Sequence, residues 1–297
     1  MGSDYFNMST AIADVIGHPA FGSFGRLLFP VNGHHYSGTT LGSFRLTYYG
    51  ADPAKNVEIV NYLKSEAENG RQIFYNIYSE EEISADRTKR DTGLFFFRGK
   101  KGERFAVCNA GGAFAFVGAM HDSFPHALEL AKCGYNAFAL IYRPGWETAF
   151  KDLARAISFI FDHADELQVN TDCYSLWGGS AGARMAADLG TYGPAYFGSG
   201  DYPRPGTVVM QYTGHDRYSR FDPPTFVCVG TNDWIADWHR MKARTDALDR
   251  LGIPTEFHAY KGLDHGFGIG TGTVAEGWIL DAIRFWEKQI GKSYLCG

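Results

Sequence analysis

The chain reads as an α/β protein, a mostly parallel central sheet with helices on both faces, and three observations predict it. From about residue 71 onward, short apolar runs of strand length alternate with longer stretches of helical periodicity. Several of those runs are apolar without alternation, as a strand covered on both faces must be. One of them, Tyr174-Ser175-Leu176-Trp177, passes through Gly178-Gly179-Ser180-Ala181-Gly182 directly into a helical stretch, Ala183 to Leu189.

In chain order, the first fifty or so residues are rich in Gly and aromatics, as in Phe21 to Arg26 and Gly42 to Tyr49, and show no period. They are expected to form an ordered, loop-rich extension (residues 1–70 with the helix Asn56 to Asn69) that covers a sheet edge, forms a lid or meets another subunit. The remaining residues, 71–297, are expected to form one catalytic domain. Gln72 to Ser79 and Gly93 to Arg98 read as strands, and Gly99-Lys100-Lys101-Gly102 predicts a hairpin from the second into Arg104 to Cys108. Phe124 to Lys132 reads as a helix, with Asp122 or Ser123 as cap, Pro125 in its first turn and Gly134 behind it. Tyr135 to Tyr142 is a nearly continuous apolar strand, followed by an amphipathic helix from Lys151 to Gln168. Thr207 to Tyr212, Pro224 to Gly230 and Thr255 to Tyr260 read as further strands. Trp238 to Leu251 and Ala275 to Gln289 read as helices.

The pentad at Ser180 is where chemistry enters. A strand turning at once into a helix strains the backbone at Ser180, and flanking side chains would clash, so Gly178 and Gly182 suit the turn. Such an elbow lifts the hydroxyl above the sheet and leaves the Ala181 N–H free for an oxyanion. A nucleophilic serine also needs a base and an acid to orient it. Asp233 follows the apolar run ending at Gly230, and His265 lies in Gly262-Leu263-Asp264-His265-Gly266-Phe267-Gly268, beyond the last strand-like run. Asp237 and Asp264 compete for the acid's role. The first is placed to cap the next helix, and the second adjoins His265 in a tight loop that turns its side chain elsewhere. His258 and His239 fall inside a strand and a helix pattern, and His34-His35 have no carboxylate or Cys at ligand spacing, which argues against a metal site. Small residues cluster again in Asn109-Ala110-Gly111-Gly112-Ala113-Phe114, where backbone N–H groups can approach a substrate closely.

These phrases, with Ile141-Tyr142-Arg143-Pro144, Gly230-Thr231-Asn232-Asp233 and Asp264-His265-Gly266-Phe267, resemble the α/β-hydrolase superfamily from about Arg71 to Ile290. The resemblance extends to its bacterial acetyl-esterase, feruloyl-esterase and hormone-sensitive-lipase-like branches. It implies a serine esterase with Ser180, Asp233 and His265 as triad, in the chain order expected of the fold. It implies an oxyanion hole from Ala181 and Gly112, with either Gly111 or Ala113 beside Gly112. The usual leading His falls on Asn109 or Ala110, and so is missing. Short acyl esters such as acetates, on plant polysaccharide or aryl alcohols, are the substrates implied. A peptidase or formamidase with the same triad is the enzymatic alternative, and a binding protein on the same fold the remote one. Phe114, Trp146, Trp234 and Phe267 are expected near the pocket mouth.

Composition narrows the partners. The formal net charge of −5, with Lys and Arg scattered, argues against a nucleic-acid surface. Phe105 to Met120, the most apolar stretch, is interrupted by Asn109 and three glycines and is not a membrane span. Cys108, Cys133, Cys173, Cys228 and Cys296 are odd in number and read as reduced and structural, Cys108 as packing rather than nucleophile. No metal or organic cofactor is expected. A homo-oligomer is left open, and a cytoplasmic location is the default. If a leader preceded Met1-Gly2-Ser3, a periplasmic or secreted one replaces it.

Overall fold

In a computed structural model, residues 5–31, 34–47, 49 and 52–293 are described. Met1-Gly2-Ser3 and Cys296 lie outside them. The main sheet has eight strands: β1 (Phe74–Asn76), β2 (Gly93–Phe97), β3 (Arg104–Asn109), β4 (Asn136–Ile141), β5 (Asn170–Gly179), β6 (Thr207–Gln211), β7 (Thr225–Gly230) and β8 (Thr255–Tyr260). Their spatial order is β1-β2-β4-β3-β5-β6-β7-β8. Strands β3 to β8 run parallel, whereas β2 pairs antiparallel with both β1 and β4. Burial of every residue of β2, β4, β6 and β7 explains the unbroken apolar runs, since both faces are covered.

The principal helices are α1 (Pro53–Glu68), α2 (Phe124–Lys132), α3 (Trp146–Asp162), α4 (Ala181–Tyr192), α5 (Trp238–Arg250) and α6 (Trp278–Ser293). Phe124 of α2 packs edge-on against Phe95, and Trp278 of α6 lies 6.0 Å from Trp177. Across the sheet, Phe161 of α3 meets Phe105 at 6.0 Å. α3 begins five residues earlier than its periodicity predicts and ends at Asp162, a second short helix spanning Ala164–Leu167. Gly145, at φ 114°, makes the turn that allows the early start.

The hairpin expected between β2 and β3 does not form; β4 lies between them. The reason is the buried Asn136 amide at the start of β4. It accepts from the Gly99 N–H at 3.1 Å and donates to the Lys100 and Glu103 carbonyls at 3.0 and 2.9 Å. The Gly-Lys-Lys-Gly connection is thereby tied over the end of β4 rather than folded into a two-strand turn. Nor does Asp122 or Ser123 supply a capping hydrogen bond to α2.

The early segment is ordered by contact with the rest of the chain. It holds a short helix, Ile12–Ile16, a 3₁₀ stretch, Pro19–Leu28, and a two-residue antiparallel ladder of Tyr36–Ser37 with Arg45–Leu46. The Phe6 backbone exchanges two hydrogen bonds with the Asn61 amide of α1, both 2.9 Å, and Phe24 stacks on Phe74 of β1 at 5.3 Å.

Beyond β4, Arg143 ties the sheet to α3. Its guanidinium donates to Asp152, fully buried, at 2.7 Å, and the Tyr78 hydroxyl donates to the same carboxylate at 2.6 Å. Removing Asp152 would leave the Arg143 guanidinium, among the described residues, only the more exposed Asp86 carboxylate, at 3.1 Å, as its ion-pair partner, and the Tyr78 hydroxyl without its acceptor. Asp152→Ala is therefore expected to lower stability by about 3 kcal/mol in urea unfolding. A loss under about 1 kcal/mol, the worth of an exposed pair, would show that the contact is not needed.

Candidate active site

Ser180 stands between β5 and α4 at φ 52° and ψ −115°, a strained conformation for a residue with a side chain. Three backbones crowd this turn. A Cβ on Gly178 would lie 2.2 Å from the Gly182 carbonyl, and one on Gly182 would lie 2.0 Å from the Asn109 carbonyl oxygen at the end of β3. Only glycine fits either position, for the reason the sequence predicts. The Ser180 N–H donates to the Gln211 carbonyl at 2.9 Å, fixing the turn against β6 as well.

Asp233 and His265 come to the same point from the loops after β7 and β8. His265 Nδ1 is 2.7 Å from Asp233 Oδ2, and His265 Nε2 is 3.1 Å from Ser180 Oγ. Ionised Asp233 only accepts, so Nδ1 carries the proton and Nε2 accepts the serine hydroxyl. The other oxygen of Asp233 accepts from the Ile235 and Ala236 N–H groups at 2.9 and 2.7 Å, which holds the buried carboxylate in place. Asp237, the rival, caps α5 through the His239 N–H at 2.9 Å. His258 pairs with Glu256, and His35 stacks on Phe116 at 4.5 Å. Among the described residues no three His, Cys, Asp or Glu side chains gather as a metal site requires.

In the loop after β3 the candidate oxyanion donors differ in their hydrogen bonds. The Gly111 N–H is engaged, donating to Asp122 Oδ2 at 3.0 Å. The amides of Gly112, Ala113 and Ala181 have no acceptor among the described residues. Gly112 has φ 130°, and a Cβ there would meet the Phe116 carbonyl at 2.1 Å; Ala113 and Phe114 follow at φ 53° and 60°.

The sequence reading gives Asp122 only as a candidate helix cap and does not connect it with Gly111, Tyr212 or Tyr49. Asp122 is buried behind the loop, where it accepts from Gly111 and from the Tyr212 hydroxyl. The phenol of Tyr49, from the early segment, faces both Asp122 and Ser180, and burial with the nearby Asp122 charge holds its pKa well above the usual value. A Cβ on Gly111 would lie 2.5 Å from the Tyr49 hydroxyl, and one on Gly266 would lie 2.3 Å from its ring. Tyr49 thus fills the space between the oxyanion-side loop and the His265 loop. No local pattern marks these residues, because Tyr212 and Asp122 are 90 positions apart.

Of the aromatics expected near the mouth, Phe114 and Trp146 meet at 4.8 Å, Trp234 is 78% exposed beside Asp233, and Phe267 packs on Tyr212. Cys108 is fully buried at the end of β3, and burial pushes its thiol pKa far up, which suits packing and not nucleophilic chemistry.

The BD-FAE family model matches residues 98–197, the stretch from the end of β2 through α4 that contains Ser180. No curated protein matches the sequence. Among solved structures, the chain is similar to an acetyl ester-xyloside bifunctional hydrolase from Caldicellulosiruptor lactoaceticus, with TM-score 0.62 and 20% identity over 73% of this chain and 96% of that one. It is also similar to esterase 2 of Thermogutta terrifontis, with TM-score 0.59 and 18% identity over 73% and 92% of the two chains. An alpha/beta hydrolase from a Medee basin deep-sea metagenome library aligns with TM-score 0.57 and 24% identity over 67% and 93%. With this strand order and a strand-turn-helix elbow at Ser180, the chain is a member of the α/β-hydrolase fold.

Proposed function

We propose that the chain is a serine-dependent carboxylic ester hydrolase acting through an acyl-enzyme. The observation that carries this reading is His265, set between Asp233 and the Ser180 hydroxyl at hydrogen-bond distance from both. In the first half-reaction His265 Nε2 takes the Ser180 proton as Oγ attacks the ester carbonyl. The unengaged amides of Gly112, Ala113 and Ala181 receive the negative charge on the carbonyl oxygen. His265 then protonates the departing alcohol. Water repeats the sequence at the acyl carbonyl, His265 again taking and returning the proton, and the acid leaves. Asp233 holds the imidazole in its tautomer and stabilises its cation. This route uses no metal or organic cofactor.

The amide at Gly111 has a different part. By tying it, Asp122 orients the next two peptides toward the reacting carbonyl without spending their own donors. A short acyl group, such as acetyl on plant polysaccharide or an aryl alcohol, is the proposed substrate. Similarity to a hydrolase described as acting on acetyl esters and xylosides, and to the BD-FAE family model, supports that choice.

Ser180→Ala is expected to keep its thermal transition while kcat on p-nitrophenyl acetate falls by about 10³-fold or more. Full activity in that variant would exclude the serine. Turnover by the wild type should decline from acetate through butyrate to octanoate, and acetylated xylan and methyl ferulate in the same panel test the natural ester. For Asp122→Asn the amide can no longer accept from every present partner, so kcat is expected to fall about tenfold with KM little changed, the pattern of a lost transition-state interaction. A rise in KM alone would assign Asp122 to substrate binding instead.

A further inference from the structure

Arg184 lies one helical turn beyond Ser180, its N–H donating to the Ser180 carbonyl at 3.3 Å. Its guanidinium rests on the indole of Trp146, Cζ 3.7 Å from the ring centroid. Trp146 opens α3, and Gly145 before it donates to the Phe114 carbonyl at 2.7 Å. Phe114 in turn meets the Trp146 ring and follows Gly112 and Ala113. Guanidinium, indole and the loop after β3 are therefore linked by successive contacts, starting one helical turn from Ser180.

The charge on Arg184 is poorly neutralised. Arg184 Nε is buried and makes no hydrogen bond, and the carboxylate paired with it, Asp188, has its nearest oxygen 3.7 Å away. Asp188 is shared, with His215 Nε2 3.3 Å from its other oxygen, and burial raises its carboxyl pKa toward the neutral form. The remaining charges facing Arg184 are Arg217 and Asp216; Asp216 pairs with Arg240 at 3.5 Å. Burial and the Arg217 charge lower the Arg184 pKa, so an anion brought to it would supply attraction that its surroundings only partly provide. Yet the side chain as a whole is one-third exposed, at 34%, although its Nε is buried, so part of it is open to an incoming ligand. A planar guanidinium held flat on an aromatic face is pre-oriented to take a carboxylate through two parallel N–H donors.

We propose that Arg184, held flat on Trp146, recognises a carboxylate on the substrate, so that the preferred esters carry a second, ionised acid group. Such compounds are hemiesters of dicarboxylic acids or esters of carboxylated alcohols and phenols. The inference rests on the ester-hydrolase reading above and adds the charge of the substrate to it. A guanidinium that is only structural would treat charged and neutral esters alike.

The test uses two matched pairs. In 4-acetoxybenzoate and its methyl ester the carboxylate is on the leaving side; in 4-nitrophenyl hydrogen succinate and 4-nitrophenyl methyl succinate it is on the acyl side. The quantity read is the ratio of kcat/KM for acid over methyl ester. In the wild type this ratio should exceed one for at least one pair. Arg184→Met should lower it about ten- to a hundredfold, the range for losing a charge-assisted hydrogen-bonding partner, and Arg184→Lys should retain part of it. Equal loss on both members of a pair, or a wild-type ratio below one in both pairs, would overturn the carboxylate site while leaving an esterase. Absence of turnover on all four compounds, from wild-type protein with an intact thermal transition, would overturn the esterase reading and this one with it.

Discussion

The tightest constraint in the molecule is the convergence of three backbones at the serine turn. The end of β3, the end of β5 and the start of α4 approach so closely that a single methyl at Gly178 or Gly182 would overlap a main-chain carbonyl. Such an approach brings the loop that follows Asn109 against the start of α4. It also fixes Ser180 in its positive-φ conformation, which α4 alone would not tolerate. The eight strands are, in this sense, a frame that holds three chain segments at contact distance. The loops that bring Asp233 and His265 only have to reach the same point.

Asp122 extends that frame on the side away from the sheet. A buried carboxylate is costly unless its oxygens are used, and here one takes the Gly111 N–H and the other the Tyr212 hydroxyl. The acid consequently fixes the loop after β3, the residue after β6 and, through the facing phenol, Tyr49 of the early segment. Tyr212 also packs edge-on to His265 at 5.0 Å, so the same cluster borders the imidazole. Histidine 126, beneath it, is bound to the Gln211 amide and held neutral by burial, its pKa lowered to about 4. The His126 imidazole thus adds a hydrogen-bonding group beside the Asp122 cluster without adding a second charge.

Much of this was legible in the order of residues, for a physical reason. The elbow depends on close-packed glycines, and the loops at strand ends are marked by a change from apolar to small and polar residues. Ser180, Asp233 and His265 could therefore be singled out by local composition and chain order, and the alternation of strands and helices followed from burial on both sheet faces. Where reading failed, a distant partner decided the outcome. The Gly99-Lys100-Lys101-Gly102 signal for a hairpin is genuine locally, but the Asn136 amide binds that connection and inserts β4. Asp122 looks like a helix cap until Gly111 and Tyr212 are placed beside it. Tyr49 sits in a segment without period, and its position is defined only by glycines on two loops far along the chain.

The separation of the serine from its base along the chain has a consequence for synthesis. His265 lies 85 positions beyond Ser180 and 32 beyond Asp233. A chain growing from its N-terminus completes the elbow and the loop after β3 well before the imidazole leaves the ribosome. The nucleophile's hydroxyl thus emerges without a base. Any nascent or prematurely terminated product that stops short of the β8 loop has the serine without His265. On the ester-hydrolase reading, reactivity is withheld until His265 has been translated, by the order of the residues alone.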